Sequence, residues 1–340
     1  MPDVYPKLKV AAVQAACVFI DREKSTARAC DLIREAGRQG VQVIVFPEGF
    51  IPSHPNWFHH HVATSPKANA FSLELFKNAV EIPGRETALL GAAAKDAGAY
   101  VIMGICEKLP GTLGTMFNTQ VYIGPDGTVI GKHQKTMPTV GERIVHTVGY
   151  GDTFGVFPTK FGPMSSLICG ENGNALAIFA LAAQHTRVHA MSWPPYVGPQ
   201  ARPLRGIVEL KSRAFATMAN SYVVSACGAL DEHTIESLDL SPEHKARLSD
   251  PLYTGGSIIV APDGEIIAGP LDASEGILYA DCDIEQMVRQ KMSTDYAGHY
   301  NRPDIFELRV NISESELQDR ADLRCSNARK RPWPGWTDCI

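Results

Sequence analysis

Eight cysteines in 340 residues are too few for a disulfide scaffold, and no two stand at CxxC spacing or join histidines in a zinc-ligand pattern. Cys17, Cys106, Cys169, Cys227 and Cys282 lie in or beside apolar, strand-like runs, which argues for reduced thiols in a cytoplasmic protein. Excess positive charge is missing too. Lys and Arg number 32 against 37 Asp and Glu, a net charge of −5, which excludes a basic footprint for nucleic acid or an anionic membrane. No apolar run approaches the roughly 18 residues that a membrane span needs. The stretch Val10–Ile20 is broken by Gln14, stops at Asp21-Arg22-Glu23 and lacks a basic lead, so it reads as a first core strand rather than a signal peptide. The phosphate-cradling patterns GxGxxG and GxxxxGK[ST] are absent, and no nucleotide cofactor is expected.

What is present is ordinary globular composition, 44% hydrophobic and 20% charged, enough for a sizeable core. Two similar halves emerge along it. The first runs "LKVAAVQAA" (strand), Lys24–Gln39 (apolar positions at helical spacing) and "VQVIVFPEGF", a β-branched run typical of a strand buried on both faces. A helix over Arg85–Ala97, the strand "AYVIMGICE" and a hairpin turning on Pro125-Asp126-Gly127 follow. The second half repeats the order: strand "SSLICGEN", helix "NALAIFALAAQH", strand "RVHAMSWPP", helix "LRGIVELKSRAFATMAN", strand "SYVVSACGA", and a hairpin turning on Pro262-Asp263-Gly264. Matching order with weak residue identity predicts an internal duplication and a layered α/β fold with mixed sheets. Residues 1–310 form the domain. From Asn311 to Ile340 the chain is charged, then Pro- and Trp-bearing without a period, and reads as a tail that packs on a partner subunit or stays disordered.

Candidate chemistry gathers where strands end. Cys169 closes the apolar run of "SSLICGEN". A core cysteine is the plainer reading, but Glu171 follows and a helix pattern begins near Asn174, a setting that favours a thiolate. Glu48 ends "IVFPEGF", where a carboxylate at the mouth of a buried strand is costly unless paired or used. In "GKHQKTMPTVGER", Lys132 reads as a solvated loop residue, while Lys135, with Glu142 seven residues on, fits a buried lysine flanked by carboxylates. The run "HPNWFHHH" (His54–His61) has no ligand periodicity on one helix or strand face and reads as a loop near a pocket, not a metal site.

Glu48, Lys135 and Cys169, in the segments "FPEGF", "KHQKTMPTVGER" and "LICGEN" and separated by 87 and 34 residues, resemble the nitrilase (carbon–nitrogen hydrolase) superfamily. "FNTQVYIGPDG", "MSWPP" and "DYAGHYNRPDIFEL" extend the likeness across residues 7–308, the last resembling the true nitrilase branch. The resemblance implies a four-layer α-β-β-α sandwich with pseudo-two-fold duplication. It also implies Glu48 as general base, Lys135 as stabilising cation, Cys169 as nucleophile and Glu142 as a helper that positions water or the lysine. It implies no metal or organic cofactor, a small nitrile as substrate, and a homodimer or larger spiral homo-oligomer.

One departure stands out. Many nitrilases carry Trp directly after the cysteine and His after the following glutamate, where this chain has Gly170 and Asn172. Loss of an indole predicts room for a bulkier or α-substituted nitrile, with Trp57, Gly170, Asn172 and Trp193 expected around the substrate. An aliphatic amidase or a cyanide- or nitrile-hydrating enzyme is the nearest alternative. A non-catalytic assembly or binding protein is the remoter one, disfavoured by the presence of all four expected residues.

Overall fold

A computed structural model describes residues 3–198, 203–248, 250 and 252–313. In chain order the first half contains β1 (Lys7–Gln14), α1 (Arg22–Arg38), β2 (Val43–Val45), α2 (Pro66–Asn78), α3 (Arg85–Ala97), β3 (Tyr100–Lys108), β4 (Met116–Ile123), β5 (Val129–Gln134) and β6 (Val156–Thr159). The second contains β7 (Gly162–Ile168), α4 (Ala175–Ala183), β8 (Val188–Trp193), α5 (Leu204–Ala219), β9 (Tyr222–Cys227), α6 (Glu232–Ser237), α7 (Pro242–Leu248), β10 (Ile258–Val260), β11 (Ile266–Ala268), β12 (Gly276–Asp283) and α8 (Ile284–Thr294).

Two six-stranded sheets result, ordered β12-β1-β2-β3-β4-β5 and β11-β10-β9-β8-β7-β6. Each has three central parallel strands (β1-β2-β3 and β7-β8-β9) followed by an antiparallel pair. The duplication read from the sequence is thus visible in the topology. Each half also gives its sixth strand to the other sheet: β6 pairs antiparallel with β7, and β12 with β1 over the whole register Lys7↔Asp283 to Gln14↔Gly276. This exchange ties the halves into one unit.

The period-2 alternation of strand side chains builds the four layers. Along β1, Leu8, Val10 and Ala12 join Val188, Ala190, Tyr222 and Val224 in the core between the two sheets. The alternate residues Ala11 and Val13 face the other way, onto Ala29 and Ile33 of α1 and Leu90, Ala93 and Ala94 of α3. The second sheet mirrors this, with Leu167, Met191 and Val223 packed on Ile178 and Leu181 of α4 and Val208 and Phe215 of α5. The order is helix, sheet, sheet, helix. A sheet covered on both faces explains the nearly unbroken apolar strands.

Local chemistry sets the ends. Asp21 caps α1 by accepting from Lys24 N–H, so the helix starts two residues before the Lys24 predicted from periodicity. α3 stops at Gly98, whose φ of 62° a glycine adopts without strain. The strand predicted through Phe50 is shorter than its apolar run: only Val43–Val45 ladders, and the chain from Phe46 turns toward the site. α2, β12 and α8 have no counterpart in the sequence reading. In α2 only Ala68 and Leu75 are buried, leaving little periodicity to detect. Among the described residues no helix is long and apolar enough to cross a membrane. The tail expected to serve assembly lies outside the described residues from 314 onward.

Candidate active site

The carboxylate, lysine and thiol singled out above arrive from three places. Glu48 follows β2, and its N–H donates to the Trp193 carbonyl at 3.1 Å, pinning it to the end of β8 in the opposite sheet. Gly104 of β3 permits that approach: a Cβ there would lie 2.0 Å from the Pro47 carbonyl oxygen and 3.0 Å from Glu48 Cα. Lys135 follows β5, and its N–H donates to the Asn118 carbonyl on β4. Cys169 follows β7 and opens a 3-10 turn over Cys169–Gly173.

Cys169 has φ of 49°, a left-handed conformation unusual for a non-glycine residue and costing of order 1–3 kcal/mol. Side chains from both flanks hold it there. Glu171 accepts from the Ile168 N–H at 3.0 Å and from the Thr136 N–H and hydroxyl at 2.7 and 2.5 Å, and contacts His133 Nε2 at 3.0 Å. This clamps the turn to the segment that carries Lys135. Asn172 donates to the carbonyls of Leu167 and Cys169, both at 3.1 Å, and its own oxygen meets His189 Nε2 at 3.0 Å. Lys211 of α5 donates to the Gly170 carbonyl at 3.1 Å.

Lys135 is 1% exposed and donates to Glu48 Oε1 at 2.7 Å and Glu142 Oε2 at 2.6 Å. Asn118 bridges the same carboxylates, donating to Oε1 of each at 2.7 and 2.6 Å. Burial works against the charged form of Lys135, yet Glu48 and Glu142 together hold its pKa well above the usual lysine value. Burial raises both carboxylates, and Lys135 together with the neighbouring histidines, His54 for both and His146 for Glu142, more than offsets this, leaving Glu48 below and Glu142 well below the ordinary range. The thiol behaves oppositely. Burial first and the Glu48 charge second push Cys169 up to about 12, against the opposing pull of Lys135. The resting nucleophile candidate is a neutral thiol.

Glu48, Lys135, Glu142 and Cys169 all line one cavity of about 590 Å³. Its remaining walls are mostly apolar or aromatic: Phe58, His59, Val140, Pro194, Tyr196 and Val197, with His54, Thr139 and Gly198. Burial lowers His59 to about 3, so it is a neutral wall at ordinary pH. The donor atoms of Glu48, His54 and Glu142 lie within 4.8 Å of one another, a spacing a cation could use. The Lys135 ammonium already bonds both carboxylates, so a metal there would face a fixed positive charge.

The four residues expected around the substrate have other places. Trp57 is 1% exposed and packs on Phe19 and Phe71, and Trp193 is equally buried in the core beneath α5. Asn172 is spent on the backbone around Cys169, and Gly170 presents its Cβ position to Thr139 Oγ1 at 3.3 Å. None of them is among the residues lining the cavity. Sequence reading in turn missed Asn118 and His146 and left His54 without a role. Asn118 lies on β4 in the "FNTQVYIGPDG" segment, and nothing in that segment signalled that its amide meets the two carboxylates.

The sequence matches the carbon–nitrogen hydrolase family over residues 9–292. It is 36% identical over 310 residues to Nitrilase 2 of an unknown prokaryotic organism, covering 91% of this chain and 94% of that one. It is 36% identical over 312 residues to an aliphatic nitrilase of Sinorhizobium fredii, covering 90% and 96%. Nitrilase 1 of Arabidopsis thaliana shares 33% over 317 residues, 89% of this chain and 87% of that one. Among solved structures, Saccharomyces cerevisiae Nit3, a member of branch 10 of the nitrilase superfamily, superposes with a TM-score of 0.67 at 21% identity, covering 89% of this chain and all of the other. The Caenorhabditis elegans NitFhit protein gives 0.67 at 18% identity, over 92% and 69%. On sequence and fold together, the chain belongs to the carbon–nitrogen hydrolase superfamily, in its nitrilase branch, and is a hydrolase acting on carbon–nitrogen bonds.

Proposed function

We propose that this enzyme hydrolyses an organic nitrile to the carboxylic acid and ammonia, with Cys169 as nucleophile, Glu48 as general base and Lys135 as the stabilising cation. The observation that carries the reading is the division of labour within Glu48. Its Oε1 accepts from Lys135 and Asn118, while its Oε2 is buried without a partner beside the cavity that Cys169 shares. An unpartnered carboxylate oxygen in that position is a proton acceptor in waiting. The nitrilase names of the 32–36% identical relatives support the nitrile as electrophile.

The steps balance as follows. Glu48 Oε2 takes the thiol proton as sulfur attacks the nitrile carbon. Charge develops on nitrogen, where the Lys135 ammonium and the N–H of Gly170, the residue after the nucleophile, would stabilise it. Proton return gives a thioimidate. One water, deprotonated by Glu48, adds to it and ammonia leaves; a second water cleaves the thioester, freeing acid and thiol. Two waters are consumed per nitrile. Glu142 keeps Lys135 charged and placed.

Incubation with a panel of nitriles, with acid, amide and ammonia quantified separately, tests this. Acid and ammonia in equal amounts are expected. Amide as the sole product would move the enzyme to nitrile hydration, and turnover unchanged in Cys169→Ala would remove the nucleophile assignment.

A further inference from the structure

His54 is buried at 5% exposure beside the catalytic carboxylate and has a partner on each ring nitrogen. Nδ1 lies 2.7 Å from the side-chain oxygen of Asn56, an acceptor, so Nδ1 carries a hydrogen. Nε2 lies 3.4 Å from Glu48 Oε1, a second acceptor. A neutral imidazole would turn a lone pair toward that carboxylate. His146 gives the contrast. Its Nδ1 meets Glu142 Oε1 at 3.2 Å, but its Nε2 is buried with no partner, as suits a neutral ring. Burial moves His146 down from the usual histidine value. For His54 burial also acts downward, but Glu48 overcomes it and the net shift is upward.

Charge counting points the same way. Glu48 and Glu142 bring two negative charges and Lys135 one positive, all buried. With His146 neutral the cluster would carry an uncompensated negative charge in a dry interior, which is costly.

We propose that His54 is an imidazolium in the resting enzyme and acts as a positioning residue: a second cation on Oε1 of Glu48 that neutralises the buried cluster and keeps Oε2 ionised to receive the Cys169 proton. The base role of Glu48 rests on the function proposed above; the charge of His54 rests on the contacts of its ring and the charge balance of the buried cluster. Proton transfer from Cys169 to Glu48 then leaves the cluster neutral throughout, so the thiolate forms without adding net charge to the cavity. The titratable groups around His54 are Glu48, Glu142, Lys135, His59, His146 and Cys17. Lys135 and the carboxylates hold their charges across the working range, and His59 and His146 stay neutral there. Cys17 is pushed up to about 11 and also stays neutral, and of the three histidines in this set His54 alone is moved upward.

Two measurements test the proposal. In wild-type protein with nitrogen-labelled histidine, NMR at about pH 7 should show one imidazole with both nitrogens protonated, lost in His54→Gln. A neutral-tautomer pattern for His54 overturns the proposal whatever the substrate proves to be. In His54→Gln, the acid limb of the rate profile should move up by about one pH unit, a roughly tenfold loss on that limb, because Glu48 loses a cation. If the rate falls with the acid limb unmoved, the role is structural and the proposal fails. Should His54→Gln not fold, His54→Asn serves for both the assignment and the profile. Absence of nitrile turnover in wild type would fall on the function alone, since the NMR readout needs no substrate.

Discussion

Asn118 and Glu48 are joined by a 2.7 Å hydrogen bond from the Asn118 amide nitrogen to Oε1, and the same nitrogen reaches Oε1 of Glu142 at 2.6 Å. One neutral donor therefore sets the orientation of both carboxylates that charge Lys135. Asn118→Ala should lower kcat by about ten- to a hundredfold, the loss of a buried hydrogen bond to a charged group, with a smaller change in KM. Steady-state kinetics check this; a change confined to KM would place Asn118 in substrate binding instead.

The thiol should be neutral in the free enzyme. With Cys169 raised to about 12 by burial and the neighbouring Glu48 charge, the ultraviolet thiolate absorbance of wild type minus Cys169→Ala should stay near zero from about pH 6 to 9. A thiolate signal at neutral pH would show a preformed ion pair with Lys135 and remove the need for Glu48 as base.

Acid should unfold the protein through Glu142. Its folded-state pKa lies well below 4.5: burial acts upward, but Lys135, His146 and His54 together outweigh it. The stability contributed by its ionised form is complete above the unfolded carboxylate pKa and drains as pH falls through the folded one. Melting temperature measured from about pH 7 to 3 should fall steeply in wild type. Glu142→Gln should melt lower at neutral pH but lose less on acidification. Parallel curves for the two proteins would contradict the assignment.

Substrate size should follow the cavity. A volume of about 590 Å³ walled by Phe58, Tyr196, Val140 and Val197 fits an aromatic or branched nitrile better than a two- or three-carbon one. kcat/KM for benzonitrile should exceed that for propionitrile by roughly 10–200-fold, the range that hydrophobic pockets deliver. The room comes from the cavity walls; Gly170, the residue from which the sequence predicted it, presents its Cβ position to Thr139 and does not line the space. Equal rates for the two nitriles would count against the reading.

The candidates Glu48 and Cys169 were legible early because each follows an apolar strand, and a charged or nucleophilic group there is conspicuous against its neighbours. The layered fold was legible for the same reason: continuous β-branched runs alternate with helical spacing. What stayed hidden depends on partners far away in the chain. β12 becomes a strand by pairing with β1, and its own residues, with Asp281 and Asp283 among them, carry little strand signal. Trp57 and Trp193 looked like pocket walls because large aromatics line pockets, but aromatics also fill cores, and only packing separates the two.

By itself the sequence singled out the candidate residues: a carboxylate, a lysine, a second carboxylate and a thiol in a duplicated α/β chain. Tertiary structure alone decided how they are wired. It engaged Glu48 through Oε1 and left Oε2 free, gave His54 two acceptors and His146 one, and set the thiol high and the lysine charged. The reason is physical. Hydrogen-bond direction and desolvation depend on atoms brought within 3 Å or so from elements as far apart in the chain as those of Glu48 and Trp193, and a one-dimensional pattern carries neither.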